Sequence, residues 1–165
     1  MIVVEPYDPR WPESFRRERD LIRTSLAPWL AGEIEHIGST AVVGLSAKPV
    51  IDIMVPVHSL ADSTRAIEVL AEHQYCYYPY KADVMHWFCK PSPEVRTHHL
   101  HLVPLSSPLW RDRLAFRNAL RASPDLAAEY QLLKHQLAAQ YPFDREAYTD
   151  GKTAFVNRVL AESSS

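Results

Sequence analysis

Cysteine is scarce in this sequence, and its placement argues against two kinds of small protein. Only Cys76 and Cys89 are present, without C-x-x-C spacing, so they can form at most one bridge. A disulfide framework and a thiolate zinc site both need more sulfur than this. The cysteines therefore fit a reducing compartment, and we expect a cytoplasmic protein.

Long apolar runs and a strong charge of one sign are also lacking. No apolar stretch approaches the roughly 20 residues of a membrane span, and the first residues carry no basic segment followed by an apolar one. We therefore expect a chain that is neither exported nor inserted into a membrane. The 18 basic and 20 acidic side chains give a net charge of −2, which excludes a broad positive surface for nucleic acid.

The chain has the length and hydrophobic content of one globular domain. Its 165 residues are 47% hydrophobic and 23% charged, without a repeat or a linker. We expect a single domain over residues 1–165.

Apolar periodicity predicts a sheet followed by helices. Helices are expected over residues 12–27 and 60–72, and strands over 33–37, 49–57, 75–80, 84–90 and 95–103. Ser107 before Pro108 and Ser123 before Pro124 predict two later helix starts, and a last helix is expected over 144–160. A mixed sheet with flanking helices and a helical C-terminal block is an α+β fold.

Asp52 interrupts the apolar strand predicted over 49–57. Leaving an ionised carboxylate unpaired there costs several kcal/mol, so a cation, a set of donors or the open end of the sheet must meet it. A structural aspartate held by loop amides fits this pattern, and so does a site residue. We favour the site because perturbed carboxylates cluster at functional positions. Asp52 is the candidate catalytic residue.

The segment RTHHLHLV carries three of the eight histidines. In a strand, His99 and His101 share one face, where two imidazoles at i and i+2 can bind a metal, grip a phosphate or form a half-exposed polar face. With Asp52 they would make a two-His, one-carboxylate set for a divalent ion, provided that the two strands are adjacent.

Phosphate ligands are predicted at two places. Gly38, Ser39 and Thr40 follow a short strand and offer backbone N–H groups and hydroxyls, to which Lys48 would add a positive charge, although an ordinary turn has the same composition. Lys90 shares a strand face with His86 and could line an anion pocket.

The triplet GKT at residues 151–153 is not the end of a P-loop. The G-x-x-x-x-G-K-[ST] pattern needs a glycine at the position of Glu146. A Walker A site is therefore rejected.

Six segments together resemble the GrpB-like family and span nearly the whole chain: YDPRW, HIGSTAVVGLSAKPVIDIMV, HWFCK, RTHHLHLV, WRDRLAFRNALR and YTDGK. That family is similar to a branch of the nucleotidyltransferase superfamily. The resemblance implies that Gly38 and Ser39 hold a triphosphate and that Asp52 is the first metal carboxylate. Met54 stands where the superfamily keeps its second aspartate.

Three hypotheses follow from these residues and the resemblance. The first is metal-assisted phosphoryl or nucleotidyl transfer from a nucleotide or other phosphorylated small molecule, with Mg, Mn or Zn as the divalent cofactor at Asp52, His99 and His101. The second is a catalytically silent module that binds a nucleotide, a coenzyme A-related ligand or a partner. The family's fusion to dephospho-CoA kinase implies a link to coenzyme A metabolism. The third is a structural polar network.

Overall fold

The computed structural model describes residues 1–163. Two single 3₁₀ turns, Ala27–Trp29 and Ser39–Ala41, accompany its helices and strands. In chain order these are α1 (Trp11–Ser25), β1 (Glu35–Ile37), β2 (Ile51–Val57), α2 (Ala66–Ala71), β3 (Cys76–Tyr78), β4 (His86–Pro91), β5 (Arg96–Pro104), α3 (Pro108–Ala122), α4 (Pro124–Gln140), α5 (Arg145–Asp150) and α6 (Thr153–Ser163).

The five strands form one mixed sheet in the order β1-β2-β5-β4-β3. β2 and β5 run parallel at its centre, whereas the other neighbouring pairs are antiparallel. Parallel neighbours need a long crossover connection, and here α2, β3 and β4 lie between them in the chain. The mixed sheet and its helices confirm the predicted α+β class.

One face of the sheet packs against α1. Alternation along β2 and β5 places Ile53, Val55 and Leu100 on this face, and all three are fully buried. From α1, Phe15 and Ile22 join the same cluster because they recur at helical spacing on its inner side. Each such buried side chain contributes about 1.5–3 kcal/mol to folding.

The opposite face of the sheet carries the polar residues of interest and lies under α3. Met54 is buried there in an apolar cluster with Trp87 and with Trp110 of α3. Arg117 fastens α3 to the sheet, since its Nη1 donates to Glu35 Oε2 at 2.7 Å and to the carbonyl of residue 36 at 3.0 Å. The position of α3 over the sheet is therefore held by both packing and charge.

The C-terminal helices hold the chain between β1 and β2 in place. Their shared apolar cluster consists of Val42, Leu45, Leu120, Tyr130, Phe155 and Val159. Because two of these residues belong to the β1–β2 connection, α3, α4 and α6 pack directly against the loop that follows residues 38–40.

Three helix starts follow the capping rules. The hydroxyls of Ser107 and Ser123 accept from the amides of Trp110 and Leu126, which confirms both predicted starts. Asp144 caps α5 in the same way. Within the described residues, no helix combines the length and apolar character that spanning a bilayer requires.

Two predicted helices are shorter than expected. The helix predicted over 60–72 is α-helical only over α2, because the hydroxyls of Ser63 and Thr64 bond the carbonyl of Leu60 and residues 60–65 form turns. The last helix is divided into α5 and α6 at Gly151. A β-carbon on Gly151 would lie 2.4 Å from Leu137 Cδ2, so the chain passes α4 very closely at that break.

Candidate functional site

Asp52 meets both predicted histidines across the parallel pair of β2 and β5. The register pairs Asp52 with His99 and Met54 with His101, so the three polar side chains share one face of the sheet. Oδ1 of Asp52 lies 3.4 Å from His99 Nδ1 and 3.2 Å from His101 Nε2. We call these three residues the Asp52 centre. The adjacency that the sequence pattern required is present.

The carboxyl of Asp52 is ionised despite its surroundings. Burial alone would raise its pKa, but the hydrogen bonds from His101 and His99 hold the pKa well below the usual range. A negative charge is therefore fixed on this face of the sheet at neutral pH.

Arg113 of α3 completes the contacts of His101. Its Nη1 donates to His101 Nδ1 at 2.9 Å. Burial, followed by the positive charge of Arg113, lowers the pKa of His101 to about 4, so this imidazole is neutral at pH 7. Sequence reasoning did not single out Arg113, although it belongs to the quoted WRDRLAFRNALR segment.

His99 borders a cleft with a cationic lining. Its Nε2 is buried and has no hydrogen-bond partner in the described structure, and its ring centroid lies 5.0 Å from that of Trp87. The cleft has a volume of about 800 Å³, and its lining side chains include the cations of Lys48, Arg96 and Arg145 and the carboxylate of Asp144. The Asp52 centre is therefore adjacent to a space that suits an anionic small molecule.

Gly38 brings the backbone directly against Asp52. Its φ of +74° is a conformation that favours glycine, and an added β-carbon would lie 2.6 Å from Asp52 Oδ2. Oδ1 of Asp52 faces the two imidazoles, so Oδ2 is the oxygen that faces the start of the turn. We call Gly38 and Ser39 the Gly-Ser turn.

The two hydroxyl residues of the predicted phosphate loop differ in their surroundings. Ser39 is half-buried and contacts the phenol of Tyr130 through its hydroxyl. Thr40 is buried, and its Oγ1 lies 2.9 Å from His36 Nε2. The hydroxyl of Thr40 is thus engaged deeper in the protein interior than that of Ser39, and the phosphate role of Thr40 stays a prediction.

Three lysines from separate parts of the chain lie over two tyrosine rings, and one of these tyrosines, Tyr130, contacts Ser39. Nζ of Lys48 and Nζ of Lys152 lie 5.0 and 4.8 Å from the centroid of the Tyr148 ring. Lys134 donates to the carbonyl of Ser46, and its Nζ lies 5.1 Å from the centroid of the Tyr130 ring. We call these three residues the lysine cluster.

The lysine cluster is electrostatically unfavourable in the absence of an anion. Burial, together with the charges of the other two lysines, lowers the pKa of Lys134 to about 7. Burial and then the charge of Lys48 lower the pKa of Lys152 to about 8, while Asp52 partly offsets this. Like charges gathered beside a glycine turn are typical of a site for a multiply charged anion.

Lys90 does not belong to this site. The register of β4 with β5 pairs Lys90 with His98, which places its side chain on the face opposite Asp52. There it forms an ion pair with Glu18, and its Nζ lies 5.0 Å from the centroid of the Tyr75 ring. The predicted phosphate role of Lys90 is corrected to a structural one.

The donors at the Asp52 centre do not fit a resident metal ion. Within residues 1–163, no three His, Cys, Asp or Glu side chains form a group that could hold one. His101 is already hydrogen-bonded at both ring nitrogens, and Met54 in its apolar cluster supplies no oxygen. The predicted Mg, Mn or Zn cofactor therefore lacks support from the donor set, and no step is assigned to it.

Two members of the lysine cluster were missed by sequence reasoning although a pattern was present. Lys134 lies four residues after Tyr130 and three before Leu137, hence on the buried side of α4. Lys152 belongs to the YTDGK segment. The rejection of a P-loop there left this lysine without a predicted role.

A family model described as GrpB protein matches residues 1–162. The chain belongs to the GrpB family. UPF0157 protein PA4798 of Pseudomonas aeruginosa is 44% identical, over 98% of this chain and 67% of its own length. The crystal structure of conserved protein GrpB from Enterococcus faecalis superposes with a TM-score of 0.87 at 32% identity, covering 98% of this chain and 96% of that one.

More distant similarities concern the fold and one enzyme. The structure of Cid1 in complex with its short product ApU has a TM-score of 0.57 at 16% identity, over 90% of this chain and 48% of that chain. The nucleotidyltransferase-like fold is thus confirmed. Dephospho-CoA kinase of Mycolicibacterium paratuberculosis is 27% identical over 87% of this chain and 41% of its own length.

Proposed function

We propose that this GrpB protein binds a nucleotide or another phosphorylated small molecule and transfers a phosphoryl or nucleotidyl group from it. The lysine cluster beside the Gly-Ser turn is the observation that carries the proposal. None of the ion pairs among residues 1–163 includes one of these three lysines. A polyphosphate between them would supply the missing negative charge.

The Gly-Ser turn suits the same ligand. The missing side chain at residue 38 makes room for Asp52 Oδ2 beside the turn, and the Ser39 hydroxyl can donate to a phosphate oxygen. Hydrogen bonds between ammonium groups and phosphate oxygens are stronger than those between neutral groups. We therefore expect the phosphates to lie between this turn and the lysine cluster.

Asp52 would act on the attacking group. Its Oδ1 is held by two imidazoles, and its Oδ2 faces the Gly-Ser turn. In that position Oδ2 can accept a hydrogen bond from an acceptor hydroxyl or water and orient its oxygen towards phosphorus. The oxygen–phosphorus bond would form as the leaving phosphate departs with the electrons of its own bond, and the proton of the attacking hydroxyl would pass to Oδ2 of Asp52 and from there to solvent.

Calorimetric titration with ATP, UTP and dephospho-CoA tests the binding step. Dephospho-CoA is included because of the related kinase. Lys152→Ala should lower the affinity for whichever of these ligands binds by at least about tenfold, since one charged hydrogen bond contributes roughly 1.5–3 kcal/mol. The matched control is Lys81→Ala, which also removes a lysine located over a tyrosine ring but on the exposed surface. Equal affinities for the two variants would refute the proposed pocket.

Asp52→Asn separates binding from transfer. This variant keeps the size of the side chain and removes its charge, so we expect ligand binding to persist while product formation falls by at least about a hundredfold. Product is measured by chromatography of the nucleotide after incubation with candidate acceptors. Wild-type turnover that is unchanged in Asp52→Asn would exclude Asp52 from the chemistry.

A catalytically silent binding module is the second candidate, and Met54 favours it. This fully buried side chain occupies the position at which the superfamily resemblance implies a second carboxylate. A silent module predicts Lys152-dependent binding without turnover for every nucleotide and acceptor tested. Any Asp52-dependent product decides for the enzyme.

A further inference from the structure

The position of one proton at the Asp52 centre can be derived from Arg113. A guanidinium has only N–H donors and stays charged in proteins. Because Arg113 Nη1 lies 2.9 Å from His101 Nδ1, this ring nitrogen must be the acceptor. The proton of neutral His101 therefore resides on Nε2, which faces Asp52 Oδ1 at 3.2 Å.

This proton is incompatible with metal coordination by His101. A ligating imidazole offers the lone pair of the nitrogen that faces the ion. For Nε2 to ligate, the proton would have to move to Nδ1, where it would point at an N–H group of Arg113. Two donors would then face each other in a half-buried position, and the hydrogen bond between Arg113 and His101 would be lost.

Arg113 is itself held in place. Its Nη2 contacts Met85 Sδ at 3.8 Å, and the helix that carries it is fastened to β1 through Arg117. The guanidinium therefore cannot turn aside without leaving both His101 and Met85.

We propose that Arg113 is a positioning residue that keeps transition-metal ions out of the Asp52 centre by fixing the proton of His101 on Nε2. The protonated Nε2 holds Oδ1 of Asp52 and leaves Oδ2 free towards the Gly-Ser turn. Met54 gives no oxygen ligand, so this proton decides whether Asp52, His99 and His101 act as hydrogen-bond partners or as a two-His, one-carboxylate ligand set. The inference does not depend on nucleotide binding.

Removing the guanidinium should convert the centre into a metal site. In Arg113→Leu, Nδ1 of His101 is free to carry the proton, and Nε2 then offers its lone pair beside Asp52 Oδ1. His99 Nδ1 lies 3.4 Å from the same oxygen, so only small shifts would bring three donors to one ion. Two imidazoles and a carboxylate favour Zn²⁺ or Co²⁺ over Mg²⁺.

Titration of the purified protein with CoCl₂, followed by visible absorption and calorimetry, tests the proposal. Arg113→Leu should bind one Co²⁺ at least tenfold more tightly than wild type, and the double variant Arg113→Leu/Asp52→Asn should lose that gain. Arg113→Lys, which keeps a cationic donor, and Arg121→Leu, which removes another arginine from α3, should both match wild type. Wild type and Arg113→Leu binding Co²⁺ equally well would overturn the proposal.

NMR of ¹⁵N-histidine-labelled wild type gives a second test that needs no variant. The expected result is the Nε2–H tautomer at His101, and the Nδ1–H tautomer would overturn the proposal. Because neither experiment contains a nucleotide, failure of the proposed phosphate pocket and failure of this inference are distinguishable.

Discussion

A β-carbon at position 38 would lie 2.6 Å from Oδ2 of Asp52, whereas one at Gly44 would meet nothing within 4 Å. Both glycines have positive φ, +74° and +85°. Comparing the two positions therefore separates the cost of backbone strain, which both share, from the cost of a steric clash with Asp52, which only position 38 has.

Replacing each glycine with alanine should give two different results. Strain alone lowers the free energy of unfolding by about 1–3 kcal/mol in both variants, and we expect Gly38→Ala to lose at least about 1 kcal/mol more because its β-carbon displaces Asp52. Urea denaturation measures the difference. Nucleotide affinity should fall only in Gly38→Ala, and equal losses in the two variants would contradict the close approach.

The stability of the ligand-free protein should rise with pH above neutrality. The pKa values of Lys134 and Lys152 are lowered to about 7 and about 8 in the folded protein, against 10.5 for an ordinary lysine. Between about pH 7 and pH 10 the unfolded chain therefore holds more protons than the folded one, so the free energy of unfolding increases with pH. Lys134→Met should flatten this rise in urea denaturation at a series of pH values. If the slope of the free energy of unfolding against pH is the same in Lys134→Met, the pKa of Lys134 is not lowered in the folded protein.

Lys90→Met should affect stability but not ligand binding. Loss of the ion pair leaves the carboxylate of Glu18 with its hydrogen bond from Tyr75 OH but without a neighbouring ammonium group, and we expect the free energy of unfolding to fall by about 1–3 kcal/mol. Adding Glu18→Gln should restore part of this loss. In calorimetry, Lys90→Met should bind the nucleotide as tightly as wild type does. A large fall in affinity would show that Lys90 belongs to the phosphate site after all.

Gly151→Ala tests the close passage of the chain over α4. The backbone at residue 151 is helical, so the cost comes from contacts of the added β-carbon, chiefly with Leu137 Cδ2 at 2.4 Å and Cδ1 at 3.0 Å and also with the Ala147 carbonyl at 3.3 Å. Overpacking of this kind should cost about 1–3 kcal/mol. Leu137→Ala removes that contact, so the losses of the two substitutions should combine to less than their sum in the double variant. Thermal melts of the four proteins give the coupling. Stability losses that add exactly in the double variant would contradict a direct contact between residues 151 and 137.

The sequence predicted the strands and all three residues of the Asp52 centre. Alternation along two strands identified Asp52, His99 and His101 because side-chain direction in a strand is a local property. Which strands become neighbours is decided by packing of the whole sheet, so their convergence needed the structure. Alternation likewise grouped Lys90 with His86, but it could not say that this face lies opposite Asp52.

Residues whose role depends on the docking of helices were harder to predict. Arg113 bonds His101 only once α3 lies over the sheet. Lys134 lies on the apolar face of α4, and the helical periodicity of that face is set by its apolar residues, so it predicts a core and not a buried lysine. A buried lysine is expensive unless something meets it, and its position three residues before Leu137 was the available indication.

The lysine cluster draws one member from the β1–β2 connection, one from α4 and one from the break between α5 and α6. An anion seated among them would join three distant stretches of the chain at one point. The mutual repulsion of the three ammonium groups would then be offset by their shared attraction to the anion. Occupancy should therefore slow proteolysis between α4 and α6 more than within the sheet, so that the ligand serves as a reversible crosslink of this half of the molecule.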